Sequence, residues 1–379
     1  MILESIRYMR MEGHPKEWQI IGSDGDAVHL VNLNLLVGKN AAGKTRTLAI
    51  IREIASLIGG NLELSEILFP KVEYSLRFKD KAGEYEYYLK VNEKSVEKES
   101  LLLNGEILLQ REKDSVLILS DDSKSKENLS LNINKLAVSK NDFSNNHGIS
   151  KLKEWGSSLK NGQFTNQFEK DYLVSSLNHL ESKHMQDSEP SALLQIFWEC
   201  KQLFGVEFTN KIKADMKALH YPIETIDILE GASGFGIYVK EDELDDLTSQ
   251  VEMSQGMFRA LSFIIRLNMA LISETSACVL VDDMGEGLDF DRSKLLIDML
   301  ISKTYDSNIQ IFITTNDRYI MNKIPLQYWS VIHRHPKESV FYNYHNSKEI
   351  FEDFKFTGLS NFDFLATDFY LKGFSDIEE

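Results

Sequence analysis

Apolar residues in this chain alternate with polar ones, then fall into helical spacing, then run unbroken through short stretches. Ile2–Arg10, Trp18–Ile21 and Val28–Val37 alternate or run apolar between Gly and Asp breaks, which predicts short strands. Arg46–Ile58 repeats its apolar residues at three- and four-residue intervals, as one face of a helix requires. Lys71–Phe78, Glu84–Val91, Glu99–Leu103, Ile107–Gln110 and Ser115–Leu119 read as strands. Turn signals at Asp80–Gly83 and Asn104–Gly105 join them into antiparallel hairpins. Ser120–Leu129 is rich in Ser, Asp and Lys and reads as a mobile loop.

From Gly148 to Leu219 the pattern turns helical, clearest over Leu193–Phe204 and Asn210–Leu219, with an exposed break at Ser182–Pro190. Ile223–Leu229 and Gly236–Lys240 follow as strands, Gly231–Gly236 as a hairpin turn and Glu241–Asp246 as a solvated loop. Cys278–Val281 and Gln310–Thr315 are short apolar runs suited to buried strands. Helices are expected over Ala260–Ile272 and from just after Asp289 through Ile301. No internal repeat or sustained heptad pattern is visible, which argues against a long coiled-coil arm.

Composition narrows the class. A chain of 379 residues with 42% hydrophobic content can bury a sizeable core in one large or two intimate domains. No apolar run has the length a bilayer needs, and Met1–Met11 is too charged for a signal peptide. Cys200 and Cys278 are the two cysteines, without zinc spacing, so a cytoplasmic, reduced protein is expected. A net charge of −16 disfavours simple duplex-DNA binding, although a local basic strip can coexist with it.

The candidate chemistry begins directly behind the run Leu30–Val37. Gly38 to Thr45 read GKNAAGKT, a phosphate-binding pattern between strand and helix. The glycines let backbone N–H groups curl round an anion, Lys44 can reach phosphate oxygens, and the Thr45 hydroxyl can ligate Mg²⁺. Nucleoside triphosphate binding follows as the expectation. The run Cys278–Val281 ends in Asp282-Asp283, where one carboxylate can hold Mg²⁺ and the next can polarise an attacking water. Met253–Arg259 (MSQGMFR) precedes the Ala260 helix, and Asn316-Asp317-Arg318 follows the last buried strand. His333-Arg334-His335 reads as an exposed strand end, and the phenylalanine-rich Phe351–Phe374 as core packing.

This ordered set resembles the ATPase heads of the ABC superfamily, closest to the soluble SMC/RecF/OLD-like branch. The resemblance implies an α/β P-loop NTPase fold of ABC-ATPase type with an antiparallel β subdomain and a helical insertion. It divides the chain into residues 1–60 and 231–335 as core halves, 61–120 as β subdomain, 121–230 as mainly helical insertion and 336–379 as aromatic-rich end. The 238 residues between Lys44 and Asp282 exceed the spacing of transporter subunits, which disfavours a transporter motor. Nucleotide contacts are implied for Gly38, Lys39, Asn40, Ala41, Ala42, Gly43, Lys44, Thr45 and Arg46. Mg²⁺ falls to Thr45 and Asp282. Ser254, Gly256 and Arg259 match the signature that contacts a nucleotide on the other subunit, and Asp289 the loop that communicates across the dimer.

Two positions depart from the family pattern. Asp283 stands where a glutamate base is usual, and Asn316 where a switch histidine is usual. A base set back by about an ångström costs on the order of a hundredfold in rate. The expected protein is therefore a slow ATPase, using ATP and Mg²⁺, that dimerises around two nucleotides. Lys44, Asp283 and Asn316 are its expected catalytic residues. The resemblance implies DNA repair or defence against phage and plasmids, through a separate nuclease or toxin, with possible DNA contact and no membrane. The alternative is an ATP-gated scaffold that does not hydrolyse and that restrains a toxin or effector.

Overall fold

The computed structural model describes residues 1–119, 126–140, 146–163, 167–181, 190–242, 244–273, 277–305 and 307–374. They form two compact units. The first comprises Met1–Leu159, Gln310–Thr314 and Ile324–Glu379; the second comprises Lys160–Ile309 and Thr315–Lys323.

The first unit is built on one long sheet. Its strands run Lys126–Ser130, Ser115–Leu119, Glu106–Glu112, Ser95–Leu103, Gly83–Asn92, Val72–Asp80 and Ile2–Arg10, all antiparallel neighbours. The sheet continues through Trp18–Gly22, Glu338–Asn343, Trp329–His335 and Leu33–Val37 to Ile309–Thr314. Leu33–Val37 runs parallel to both of its neighbours and is buried at every position, as a strand covered on both faces must be. Val72–Asp80 instead alternates buried and open residues, the signature of a sheet with one wet face.

The hairpin turns fall where the sequence places them. Asn104 and Gly105 take φ of 50° and 83°, as the turn chemistry requires. Glu93 and Lys94 adopt the same left-handed backbone without a glycine, so that turn carries no sequence signal, and the third strand starts four residues before the expected Glu99. The expected loop Ser120–Leu129 is corrected in part. Lys126–Ser130 pairs with Ser115–Leu119, an edge strand whose polar composition hides it, while residues 120–125 lie outside the described residues.

Helix Lys44–Gly59 buries Leu48, Ile51, Ile54, Ala55 and Ile58. Helix His147–Ser158 meets it at Gly156, where a Cβ would stand 2.6 Å from the Ala55 carbonyl oxygen. The hairpins carry a buried ion pair. Glu99 and Arg111 are both fully buried, and Glu99 accepts from the N–H groups of Ala137 and Val138 at 2.8 and 3.1 Å. Arg111 donates to the carbonyls of Lys113, Asn132 and Lys135, so the two charges pin segment 131–139 to the sheet. At the chain's end Phe351, Phe354, Phe364 and Phe369 form a cluster with ring centroids 4.6–5.1 Å apart. The aromatic run is therefore largely core, with Phe356 left 84% exposed.

The second unit opens with Lys160–Gln163, parallel to the buried strand Ala277–Asp282. Helix Ala192–Ala218 carries a break at Gly205, between the two expected helical pieces. The expected break Ser182–Pro190 falls mainly on residues outside the described ones. Ile223–Gly231 and Gly234–Glu241 form the predicted hairpin, with Leu247–Ser249 as a third strand. Helix Gln255–Ile272 is buried along most of its length, including Arg266. Arg266 meets the Glu169 carboxylate at 2.5 Å, and both side chains are 3% exposed. Asn268 and Lys303 each donate to Asp215 at 2.7 Å, tying three helices to one carboxylate. Helices Phe290–Tyr305 and Arg318–Lys323 complete the unit.

Candidate functional site

The sequence-derived residues gather in two groups, one in each unit. In the first, strand Leu33–Val37 delivers Gly38 to a buried position where a Cβ would stand 2.7 Å from the Ile332 carbonyl oxygen. Only glycine fits that approach. Ala41 and Gly43 then take φ of 62° and 117°, a left-handed path that turns successive N–H groups toward one concavity. Helix Lys44–Gly59 starts at once, adding the positive end of its dipole. Lys44 is buried, and its Nζ donates to the Gly38 carbonyl at 2.8 Å, closing the loop on itself.

The loop is held from outside as well. Ser339 Oγ donates to the Ala42 carbonyl at 3.0 Å, and Arg334 Nη1 to the Ala41 carbonyl at 3.2 Å. Lys39 pairs with Asp368 at 2.7 Å. These partners lie some three hundred residues downstream, and no local pattern announces them. Asn40 and Thr45 are exposed. Arg46 turns to the indole of Trp18, its guanidinium carbon 4.9 Å from the ring centroid. The donor set of this loop, backbone N–H groups with the ammoniums of Lys44 and Lys39, suits a polyphosphate.

The second group centres on the end of strand Ala277–Asp282. Asp282 is its last residue, and Asp283 follows at φ 52°. Asn316 Nδ2 donates to Asp283 Oδ1 at 3.4 Å. Thr315 Oγ1 donates to the Met284 carbonyl at 2.8 Å, which fixes the Asn316 segment against the acidic turn. Ser254 caps helix Gln255–Ile272, its hydroxyl accepting from the Met257 N–H at 3.2 Å. Arg259 Nη1 donates to the Glu286 carbonyl at 2.5 Å. A Cβ on Gly256 would stand 2.6 Å from the Gly287 carbonyl oxygen. The 254–259 and 282–289 segments therefore pack as one assembly.

Asp289 completes it. Its carboxylate accepts from the Arg292 N–H at 2.9 Å and pairs with the Arg292 guanidinium. The backbone bond first, and the guanidinium with it, hold that carboxyl below the usual carboxylate range. Arg292 also lies 4.2 Å over the ring of Tyr221. Tyr221 and Arg292 escaped the sequence reading, because an isolated Tyr and a helical Arg carry no motif.

The remaining candidates resolve simply. Gln110 is exposed on its strand. His333 bonds the Tyr370 hydroxyl at 3.0 Å, and burial first, then His335, lowers its pKa. Among the described residues no group of three or more His, Cys, Asp or Glu could by itself hold a metal ion. Nor is any helix among them long and apolar enough to cross a membrane.

A family model described as "AAA domain, putative AbiEii toxin, Type IV TA system" matches residues 33–322. No curated protein matches the chain. Among solved structures, the Smc head bound to the C-winged helix domain of ScpA is 11% identical, with a TM-score of 0.53; the match covers 90% of this chain and 97% of that one. The Smc head domain with an extended coiled coil, bound to the C-terminal domain of ScpA and derived from Pyrococcus furiosus, is 11% identical with a TM-score of 0.51. That match covers 93% of this chain and 99% of the other. At such identity these likenesses establish the fold: a P-loop α/β head of SMC type.

Proposed function

The chain belongs to the AAA family described as a putative AbiEii toxin of a type IV toxin–antitoxin system, and from that premise we propose that it is a slow, Mg²⁺-dependent ATPase working as an ATP-sandwiched dimer. An ATPase of the AAA/SMC-head type is the coarse identity. The phosphate loop carries the finer reading: left-handed Ala41 and Gly43, with Lys44 held 2.8 Å from Gly38, form a preorganised polyphosphate cradle.

In this reading the loop's N–H groups and Lys44 bind the β and γ oxygens of ATP. Thr45 and Asp282 are the residues that would hold Mg²⁺, and the ion would supply charge neutralisation for the transferring phosphoryl group. Asp283 takes a proton from the attacking water, held for that role by the amide of Asn316. The water oxygen bonds to the γ-phosphorus as the bridging P–O bond to ADP breaks. Ser254, Gly256 and Arg259 face the nucleotide of a second copy, and Asp289 reports across that interface. The output is DNA repair or defence against phage and plasmids, in the cytoplasm, through a separate effector. The toxin named in the family description favours the defence arm.

Lys44→Ala tests the proposal. Wild-type protein should bind Mg·ATP in calorimetry and release phosphate, and the variant should do neither. A wild type that binds no ATP overturns the reading. Tight binding without turnover selects the ATP-gated scaffold, which the departures at Asp283 and Asn316 favour.

A further inference from the structure

Three contacts reach the phosphate loop from the chain's C-terminal stretch, and they differ in kind. Arg334 and Ser339 bond the carbonyls of Ala41 and Ala42, groups that an anion does not use. The third is different. Lys39 Nζ lies 2.7 Å from Asp368 Oδ2, so a cation of the loop is paired with a protein carboxylate.

Asp368 is not a loose surface acid. It takes a left-handed backbone, φ 57°, between the helices Asn361–Ala366 and Phe369–Lys372. Phe369 and Tyr370, the next two residues, are buried at 5% and 1% exposure, and the Tyr370 hydroxyl bonds His333 at 3.0 Å. The aromatic cluster thus fixes where this carboxylate points. The pair is open on its Lys39 side: that side chain is 63% exposed and can be exchanged to another anion, whereas Asp368 is 25% exposed with its Oδ1 buried.

We propose that Asp368 is a positioning residue of the phosphate loop: it holds the Lys39 ammonium, and the phosphates of an incoming nucleotide must take that cation from it. The inference rests on the nucleotide-binding reading above. It makes the C-terminal segment a setter of nucleotide affinity, and nucleotide occupancy in turn frees Asp368 from the loop.

Asp368→Asn is the test, because asparagine tolerates the left-handed backbone and keeps the shape while removing the charge. Titrated with Mg·ATP in calorimetry at low salt, the variant should bind roughly threefold tighter than wild type. The gain should shrink at high salt and vanish in a Lys39→Met background. Melting without nucleotide checks that each variant is folded. Equal or weaker binding by Asp368→Asn, while wild type binds ATP, overturns the proposal and leaves the nucleotide site standing. A gain that survives in Lys39→Met also overturns it, since the effect would then be general charge. A folded wild type that binds no ATP overturns both readings.

Discussion

The side-chain amide of Asn316 donates to the carboxylate of Asp283 across 3.4 Å, and Asp283 takes a left-handed backbone. Aspartate and asparagine tolerate that backbone better than longer side chains do. The short acid, where the resembled family carries glutamate, is thus matched to its own turn. Asp283→Asn keeps turn and shape and removes the basic oxygen. Phosphate release should fall by roughly 10²–10⁴-fold, with ATP affinity changed far less. An unchanged rate would take Asp283 out of the chemistry.

Ser254 has one observed role and one proposed role, and substitution separates them. As the cap of helix Gln255–Ile272 its hydroxyl accepts from Met257, so Ser254→Ala should cost about 1 kcal/mol in urea unfolding. As a contact to a second copy's nucleotide, its replacement in Ser254→Arg should abolish the ATP-dependent dimer while each monomer still binds ATP. Light scattering with Mg·ATP reads this directly, and a persisting dimer would refute the trans contact.

The rings of His29 and His345 stack with centroids 3.4 Å apart and planes at 15°. Burial first, then the charge of His345, lowers the His29 pKa, against an opposing pull from Asp24. A histidine with a depressed folded pKa binds its proton more readily once unfolded. Stability should therefore fall as pH drops below about 6.5 and level off below the folded pKa. His29→Phe keeps an aromatic ring and removes the titration. Its melting temperature should drop less than that of wild type between about pH 7.5 and about pH 5.5.

Much of this molecule is written locally. GKNAAGKT, the Asn104–Gly105 turn and the buried run at Cys278 each announce their backbone within a few residues. What escapes is carried by distant or unpatterned partners. Lys126–Ser130 becomes a strand because Ser115–Leu119 offers it an edge, not through its own composition. The Glu99–Arg111 and Glu169–Arg266 pairs read as ordinary surface charges until the fold buries them. Likewise Arg334, Ser339 and Asp368 become neighbours of the phosphate loop only through sheet pairing and the aromatic cluster. Motifs specify the chemistry of the loop, and tertiary packing specifies what restrains it.

Trp18 is 3% exposed, with the guanidinium of Arg46 over one part of its ring and that of Arg10 5.2 Å from the same centroid. Arg46 is the residue directly after Thr45, at the mouth of the phosphate loop. Cations stacked on an indole perturb its excited state, so any ligand that draws Arg46 toward itself also alters the light that Trp18 emits. Trp18, one of four tryptophans in the chain, would then register the departure of Arg46 from its ring.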